Sequence, residues 1–259
     1  MENQATKNYV KPIAVALRGL SKHFDGVRAV DDLSIAVEKG KITGIIGPNG
    51  SGKSTLINLL SGIIPSDGGV LIISGEKIKK IKPWEIAFYG ITRIFQEVRL
   101  FNQMTVLDNI LVVLTSRAPL KSLFEKHNQF YLNRAEELLK KTDLWEKRNE
   151  LAINLSYGQR KLLEIARALA NSMVDADPDI FLFDEPFAGL FPHMVKIVEE
   201  ILRELKKHGK TVILIEHNMN LIRELCDYIF VMDSGKLLAE GEPDKVLAEK
   251  EVIEAYLGE

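Results

Sequence analysis

Polar and apolar positions divide the chain into segments of different period. Residues 13–20 carry a strand pattern, and Asp25-Gly26 is a hairpin signal placed before the short run 27–30. Leu33, Ile35 and Val37 then alternate with polar or small residues, which predicts a further strand with one buried face. Glu38-Lys39-Gly40-Lys41 turns the chain into the apolar run Ile42-Thr43-Gly44-Ile45-Ile46, a short buried strand. A helix-permissive run over 56–61 stops at Gly62. Ser66-Asp67-Gly68-Gly69 leads into a β-rich run over 70–73, closed by Ser74-Gly75. The first 75 residues therefore read largely as an antiparallel β layer around one buried strand.

The period changes after Gln96. Spacing is helical over 106–114 and 129–141, where Glu136-Glu137 and Lys140-Lys141 stand four apart. Residues 119–128 are loop-like, and strand character returns only at Ile180. The stretch 97–175 is thus expected to be a mostly helical insertion into an α/β core. That core resumes with Ile180-Phe181-Leu182-Phe183. A long amphipathic helix starts at Pro192, which suits a first turn, and stops at Gly209. A buried strand over 211–215, a helix over 218–226, a hairpin (228–232 and 237–239 around Asp233-Ser234-Gly235-Lys236) and two short helices complete the pattern. The expected division is a core of 12–96 and 176–259, a helical subdomain of 97–175, and a polar tail of 1–11.

Composition narrows the class. The chain of 259 residues, 46% hydrophobic and 27% charged, suits an ordinary globular protein with a full α/β core. A formal net charge of −2 argues against nucleic-acid binding by bulk electrostatics. The single cysteine, Cys226, rules out an intramolecular disulfide, fits a reducing compartment, and follows Leu221, Ile222 and Leu225 as a buried helical position. No apolar run approaches the roughly 20 residues of a membrane-spanning helix, and 1–11 lack a signal-peptide core. Contact with a membrane is expected only through partners.

The candidate chemistry begins with Gly47-Pro48-Asn49-Gly50-Ser51-Gly52-Lys53-Ser54-Thr55, set between the buried strand and a helix. This is the context that a G-x-x-x-x-G-K-[ST] phosphate loop needs. Glycines let consecutive N–H groups form an anion nest, and the helix N-terminus adds positive potential. Lys53 is expected to reach the β and γ phosphates and the Ser54 hydroxyl to ligate Mg²⁺. Asp184, at the C-terminal end of a buried strand, is placed as the second metal anchor. Glu185, one step on, can polarise a water for in-line attack on the γ-phosphate. Leu155-Ser156-Tyr157-Gly158-Gln159 precedes a helical run over 160–170. Ser156 suits an N-cap there, and Gly158 permits close approach of backbone to a ligand. Taken alone, that element is only a helix start, and the acidic pair is only a solvated strand end.

Together, the loop at 47–55, Gln96, Leu-Ser-x-Gly-Gln at 155–159, the pair 184–185 and His217 after a buried strand resemble the ordered motif set of ABC-transporter ATPase subunits, over about 13–259. The resemblance implies an α/β P-loop NTPase core with an antiparallel β subdomain and an inserted helical subdomain, the ABC ATPase fold. It implies ATP and Mg²⁺ as ligands, and a head-to-tail dimer with a second copy or a paralogue. Each ATP would lie between one subunit's phosphate loop and the other's Ser156, Gly158 and Gln159. By the same resemblance Gln96 contacts Mg²⁺ or the attacking water and senses transmembrane permease subunits, His217 contacts the γ-phosphate, and Phe24 stacks on adenine. A place on the cytoplasmic face of the inner or plasma membrane follows. Tyr157 departs from the usual glycine of the signature, and Phe191 stands where many members have aspartate.

The segments 93–101, 104–109 and 252–259 look like those of ATPases serving high-affinity branched-chain amino acid uptake. Lipopolysaccharide-export and urea-uptake ATPases resemble it too. Soluble ABC ATPases and non-hydrolysing nucleotide modules are the alternatives from other classes.

Overall fold

A computed structural model describes residues 12–115, 129–171 and 178–257. The tail 1–11, the loop 119–128, residues 172–175 of the insertion and the last two residues lie outside them.

Two sheets organise the chain. The first is antiparallel, in the order β2-β1-β4-β5, with β1 Ile13–Phe24, β2 Val27–Glu38, β4 Gly68–Ile73 and β5 Glu76–Ile78. The second has the order β10-β9-β3-β8-β7-β6, from β3 Ile42–Ile46, β6 Ile91–Ile94, β7 Ile180–Asp184, β8 Thr211–Ile215, β9 Tyr228–Asp233 and β10 Lys236–Gly241. Its strands run parallel except for the edge strand β10, which pairs antiparallel with β9. Strands β3, β7 and β8 are buried along their whole length, because layers cover both faces of a parallel sheet. Their continuous apolar runs follow from that.

The pleat sorts side chains into two cores. Ile45, Leu182 and Ile213 face helix α1 (Lys53–Leu60) and the antiparallel sheet, meeting Leu17, Leu33, Leu56 and Leu60. Ile46, Phe181, Phe183, Val212 and Leu214 face the opposite way, toward the remaining helices. These are α2 (Val106–Leu114), α3 (Gln129–Lys141), α4 (Tyr157–Asn171), α5 (Pro192–Lys207), α6 (Met219–Leu225) and the short α7 (Pro243–Val246) and α8 (Lys250–Leu257). Phe181 and Phe183 stack with centroids 6.5 Å apart, and truncating either to alanine would cost about 3–5 kcal/mol. Helix α5 forms where Pro192 occupies its first turn, buries Met194, Val198, Ile201, Leu202 and Leu205 on one face, and ends with Lys206 and Lys207 favourably placed on its dipole. Among the described residues between β6 and β7 there are helices, turns and one isolated bridge, Thr105 to Leu151, but no strand. No helix among the described residues is long and apolar enough to cross a membrane.

Three details differ from the sequence expectation. The runs 27–30 and 33–37 are one strand: Asp32 at φ 53 makes a bulge opposite Gly19 at φ 61, and Asp32 N–H donates to Ser21 Oγ at 3.0 Å. Strands β5 and β6 have no counterpart in the expectation, because three or four residues with lysine or arginine among them give too little alternation. Helix α1 starts at Lys53 rather than at residue 56, so Lys53, Ser54 and Thr55 of the phosphate loop lie in its first turn. Cys226 is buried as expected, which pushes its thiol up to about 12.

Candidate active site

The phosphate loop leaves β3 and folds over the N-terminus of α1. Gly47 has φ 149, and a Cβ there would sit 2.1 Å from Met232 O; Gly52 has φ 102, and its Cβ would sit 2.2 Å from Ala29 O. Only glycine fits either position. Lys53 is buried, and its ammonium curls back to donate to Gly47 O at 2.7 Å and Pro48 O at 2.8 Å. Ser51 is buried as well, whereas Asn49, Gly50 and Ser54 are exposed. A cleft of about 450 Å³ is lined by Asn49, Gly50, Gly52, Lys53, Ser54 and Thr55 on one side and by Glu185 and His217 on the other. The sequence-predicted loop and two of the three predicted catalytic side chains thus share one cavity.

Gln96 joins them through Glu185. Gln96 Nε2 donates to Glu185 Oε2 at 2.8 Å, and Glu185 Oε1 lies 3.0 Å from His217 Nε2. Both carboxylate oxygens are therefore engaged, one by the Gln96 amide and one by the His217 imidazole. Glu185 has φ 47, a left-handed backbone uncommon outside glycine. Its N–H is held by Ile215 O at 3.0 Å.

Asp184 is buried at the end of β7 and forms an ion pair with Arg93, Oδ2 to Nη2 at 2.8 Å. Arg93 also donates to Asn58 Oδ1 at 2.8 Å and Ser61 Oγ at 2.6 Å, which ties β6, α1 and β7 together. Burial lowers the Arg93 pKa, and the Asp184 carboxylate opposes the shift. Sequence reasoning left Arg93 without a role. The available signal was an arginine inside the apolar run 91–94, three residues before Gln96. Glu216 was missed in the same way. Its Oε1 accepts from the N–H groups of His217 at 2.9 Å and Asn218 at 3.1 Å, which fixes the backbone that presents the imidazole. Burial pushes its carboxyl pKa up against those two hydrogen bonds.

Ser156 and Gln159 form a reciprocal cap on α4. Ser156 Oγ accepts from Gln159 N–H at 3.3 Å, and Gln159 Oε1 accepts from Ser156 N–H at 3.1 Å. Ser156 is exposed, and neither residue lines the phosphate-loop cleft. Gly158 is close to side chains of its own chain: a Cβ there would sit 2.5 Å from Met194 Sδ. Tyr157 lies against Gly189, whose Cβ would come within 2.9 Å of the ring. Phe24 is 44% exposed at the end of β1, with the Lys22 ammonium 5.2 Å from its ring centroid. It is on the surface beside the cleft-lining Val27 and Arg28 and belongs to neither core.

The donor set suits a magnesium nucleotide. Mg²⁺ takes few protein oxygens and relies on phosphates and water, and the exposed Ser54 hydroxyl and the Asp184 carboxylate are oxygens of that kind, although Asp184, buried against Arg93, is not among the residues that line the cleft. Among the described residues no three His, Cys, Asp or Glu side chains converge as a closed metal centre.

Comparison with known proteins agrees with this geometry. A family model described as ABC transporter matches residues 30–188, and one described as branched-chain amino acid ATP-binding cassette transporter matches 236–259. The high-affinity branched-chain amino acid transport ATP-binding protein LivG of Salmonella typhimurium is 37% identical, over 95% of this chain and 98% of its own length. The probable LivG of Archaeoglobus fulgidus is 38% identical over 93% and 94%. Among solved structures, the ADP conformation of an ATP-binding cassette of an ABC transporter superposes with a TM-score of 0.80 at 36% identity, covering 95% of this chain and 99% of the other. A dimeric post-hydrolysis ATP-binding cassette bound to ADP and Pi gives 0.73 at 26% identity, covering 88% and 98%. With the motif order, the fold and full-length relatives in agreement, the chain belongs to the ABC transporter family, as one of its nucleotide-binding ATPase subunits.

Proposed function

We propose that this subunit binds MgATP in the cleft above α1 and hydrolyses it to energise import of branched-chain or other hydrophobic amino acids through transmembrane permease subunits. The substrate class rests on the match over 236–259 and on the names of the relatives, and the cytoplasmic face of the membrane follows from the partners. The observation that carries the chemistry is the Glu185–His217 pair on the wall of the phosphate-loop cleft, with Gln96 hydrogen-bonded to Glu185 from outside the cleft lining.

The loop N–H groups and the N-terminus of α1 bind the phosphates, with Lys53 swinging from the loop carbonyls to the β and γ groups. Ser54 and Asp184 would hold Mg²⁺, which when bound neutralises charge on the β and γ phosphates. Glu185 takes the proton from a water whose oxygen attacks the γ-phosphorus as the bond to ADP breaks. Gln96 and His217 hold the two carboxylate oxygens in place, and one of the two contacts must yield to the water. Phe24 stacks on adenine. Ser156, Gly158 and Gln159 lie outside this cleft and complete the site of a second subunit in a head-to-tail dimer, which the dimeric form of a related cassette supports. The cap leaves Ser156 exposed at the positive end of α4, where an anion is favoured.

The experiment is Glu185→Gln in the full chain, with ATPase measured across protein concentration. The variant is expected to bind ATP and lose about 10²–10⁴-fold in turnover, the range of general base catalysis. The unaltered chain should show specific activity that rises with concentration as dimers form. Unchanged turnover would remove Glu185 from the base role, and concentration-independent activity would remove the half-site.

A further inference from the structure

Helix α4 carries a buried lysine for which neither nucleotide binding nor dimer formation accounts. Lys161 is 0% exposed among Leu162, Leu163, Ile165 and Ala166, all core residues. Its ammonium donates to the carbonyl oxygens of Phe95 and of Gln96, the latter at 3.0 Å. Two further residues at helical spacing reach the same segment. Glu164 Oε1 accepts from Arg99 N–H at 3.4 Å, and Arg167 Nη1 donates to Arg99 O at 2.5 Å. The Phe95 ring has the guanidinium groups of Arg93 and Arg99 at 4.5 Å and 3.7 Å from its centroid. Positions 161, 164 and 167 thus grip the backbone of 95–99 from one face of α4.

Burying an ammonium is unfavourable, and burial lowers the Lys161 pKa, with the Glu164 carboxylate, 3.8 Å away, opposing the shift. An apolar side chain of similar length would pack here at no electrostatic penalty, so the charge is a poor stability device. What it provides is register. The two carbonyls it holds are those of Gln96 and its neighbour, and the Gln96 side chain holds Glu185. Lys161 stands two residues past the Ser156–Gln159 cap, on the same rigid helix.

We propose that Lys161 is a positioning residue for hydrolysis: by fixing the Gln96 backbone to α4, it makes the Gln96–Glu185 contact depend on where the Ser156 end of that helix sits. Glu164 and Arg167 keep the rest of the segment in the same register. The proposal rests on the assignment of Gln96 and Glu185 given above.

The test is steady-state ATPase of the full chain over a range of MgATP for the unaltered protein, Lys161→Met, Lys161→Arg, Gln96→Ala and the double variant Lys161→Met/Gln96→Ala. Lys161→Met is expected to lower kcat about tenfold, with the KM for ATP changed less than about threefold, since small misplacements of a catalytic group act on the rate. Lys161→Arg keeps a donor and should recover most of kcat. The double variant should be no worse than Gln96→Ala alone within about twofold, because both changes act on one contact. A kcat for Lys161→Met within twofold of the unaltered chain would overturn the proposal, as would losses that multiply in the double variant; both results leave the active-site assignment standing. If Gln96→Ala itself left kcat unchanged, the relay and the role of Gln96 would fail together. Should Lys161→Met not fold, Arg167→Met, at a half-buried position on the same segment, is read by the same criteria with an expected loss of about threefold.

Discussion

Removing Arg93 should destabilise the fold far more than a point change at an exposed arginine. The Arg93 and Asp184 side chains are 5% and 7% exposed, so the pair sits in a region of low effective dielectric. Arg93→Met keeps the volume and the packing on Phe95 but leaves the Asp184 carboxylate without its cation, and Asn58 and Ser61 without their donor. Breaking one side of a buried pair costs about 3–5 kcal/mol. For a chain of this size that is a fall in Tm of roughly 6–20 °C. Urea unfolding at low and at high salt is the assay. The loss should persist at 1 M salt, because a buried pair is screened far less than a surface one. Adding Asp184→Asn to Arg93→Met should restore part of the stability, since the uncompensated charge is then gone. A loss below about 1 kcal/mol, or one abolished by salt, would refute the reasoning, because it would show that the pair behaves as a solvated surface contact.

Two further outcomes follow from buried groups near the site. Burial raises the Glu164 pKa above its ordinary 4.5, so between that value and the raised one the folded chain binds the extra proton; its contribution to stability is therefore present at low pH and is lost as pH rises through the folded pKa. Glu164→Gln should flatten that decline and be relatively more stable at pH 8 than at pH 5, measured by urea midpoints across the range; parallel pH curves would count against it. Gly158→Ala would drive a methyl against Met194 Sδ at 2.5 Å, an overpacking penalty of about 1–3 kcal/mol, and Met194→Ala in the same chain should relieve it. Thermal midpoints of the single and double variants decide this, and a double variant that is simply additive would show that the two side chains do not meet.

What was legible in the sequence was whatever chemistry had forced into a contiguous pattern. The phosphate loop needs glycines, a lysine and a hydroxyl at fixed spacing, and the parallel strands need unbroken apolar runs, so 42–55, 180–185 and 211–217 could be read directly. The Arg93–Asp184 pair could not, since its partners are 91 residues apart and β6, which aligns them, is four residues long. Lys161 was hidden for a different reason. In a helix with acidic and basic residues every few positions, a charge reads as solvent-facing, and only the path of 95–99 across α4 shows that it is buried. Glycine signals were legible as needs but not as reasons. Gly158 suggested room for a ligand, and the side of it where a Cβ would stand is also filled by Met194 of the same chain.

The left-handed backbone of Glu185 determines how two acids in succession can take different partners. In an extended strand, neighbouring side chains point to opposite faces. Phe183 faces the helical layer, and Asp184 turns the other way, to Arg93 and the α1 residues that Arg93 binds. Strict alternation would send Glu185 back among the helices, away from Lys53 and Ser54. The turn to φ 47 cancels that reversal, at a local strain of order 1–3 kcal/mol, and brings the second carboxylate into the same cleft as the phosphate loop. A residue that cannot hold this conformation, such as valine or isoleucine at 185, would thus displace the backbone as well as remove the acid. A backbone conformation ordinarily left to glycine is held here by a glutamate, so one residue supplies both the dihedral and the carboxylate.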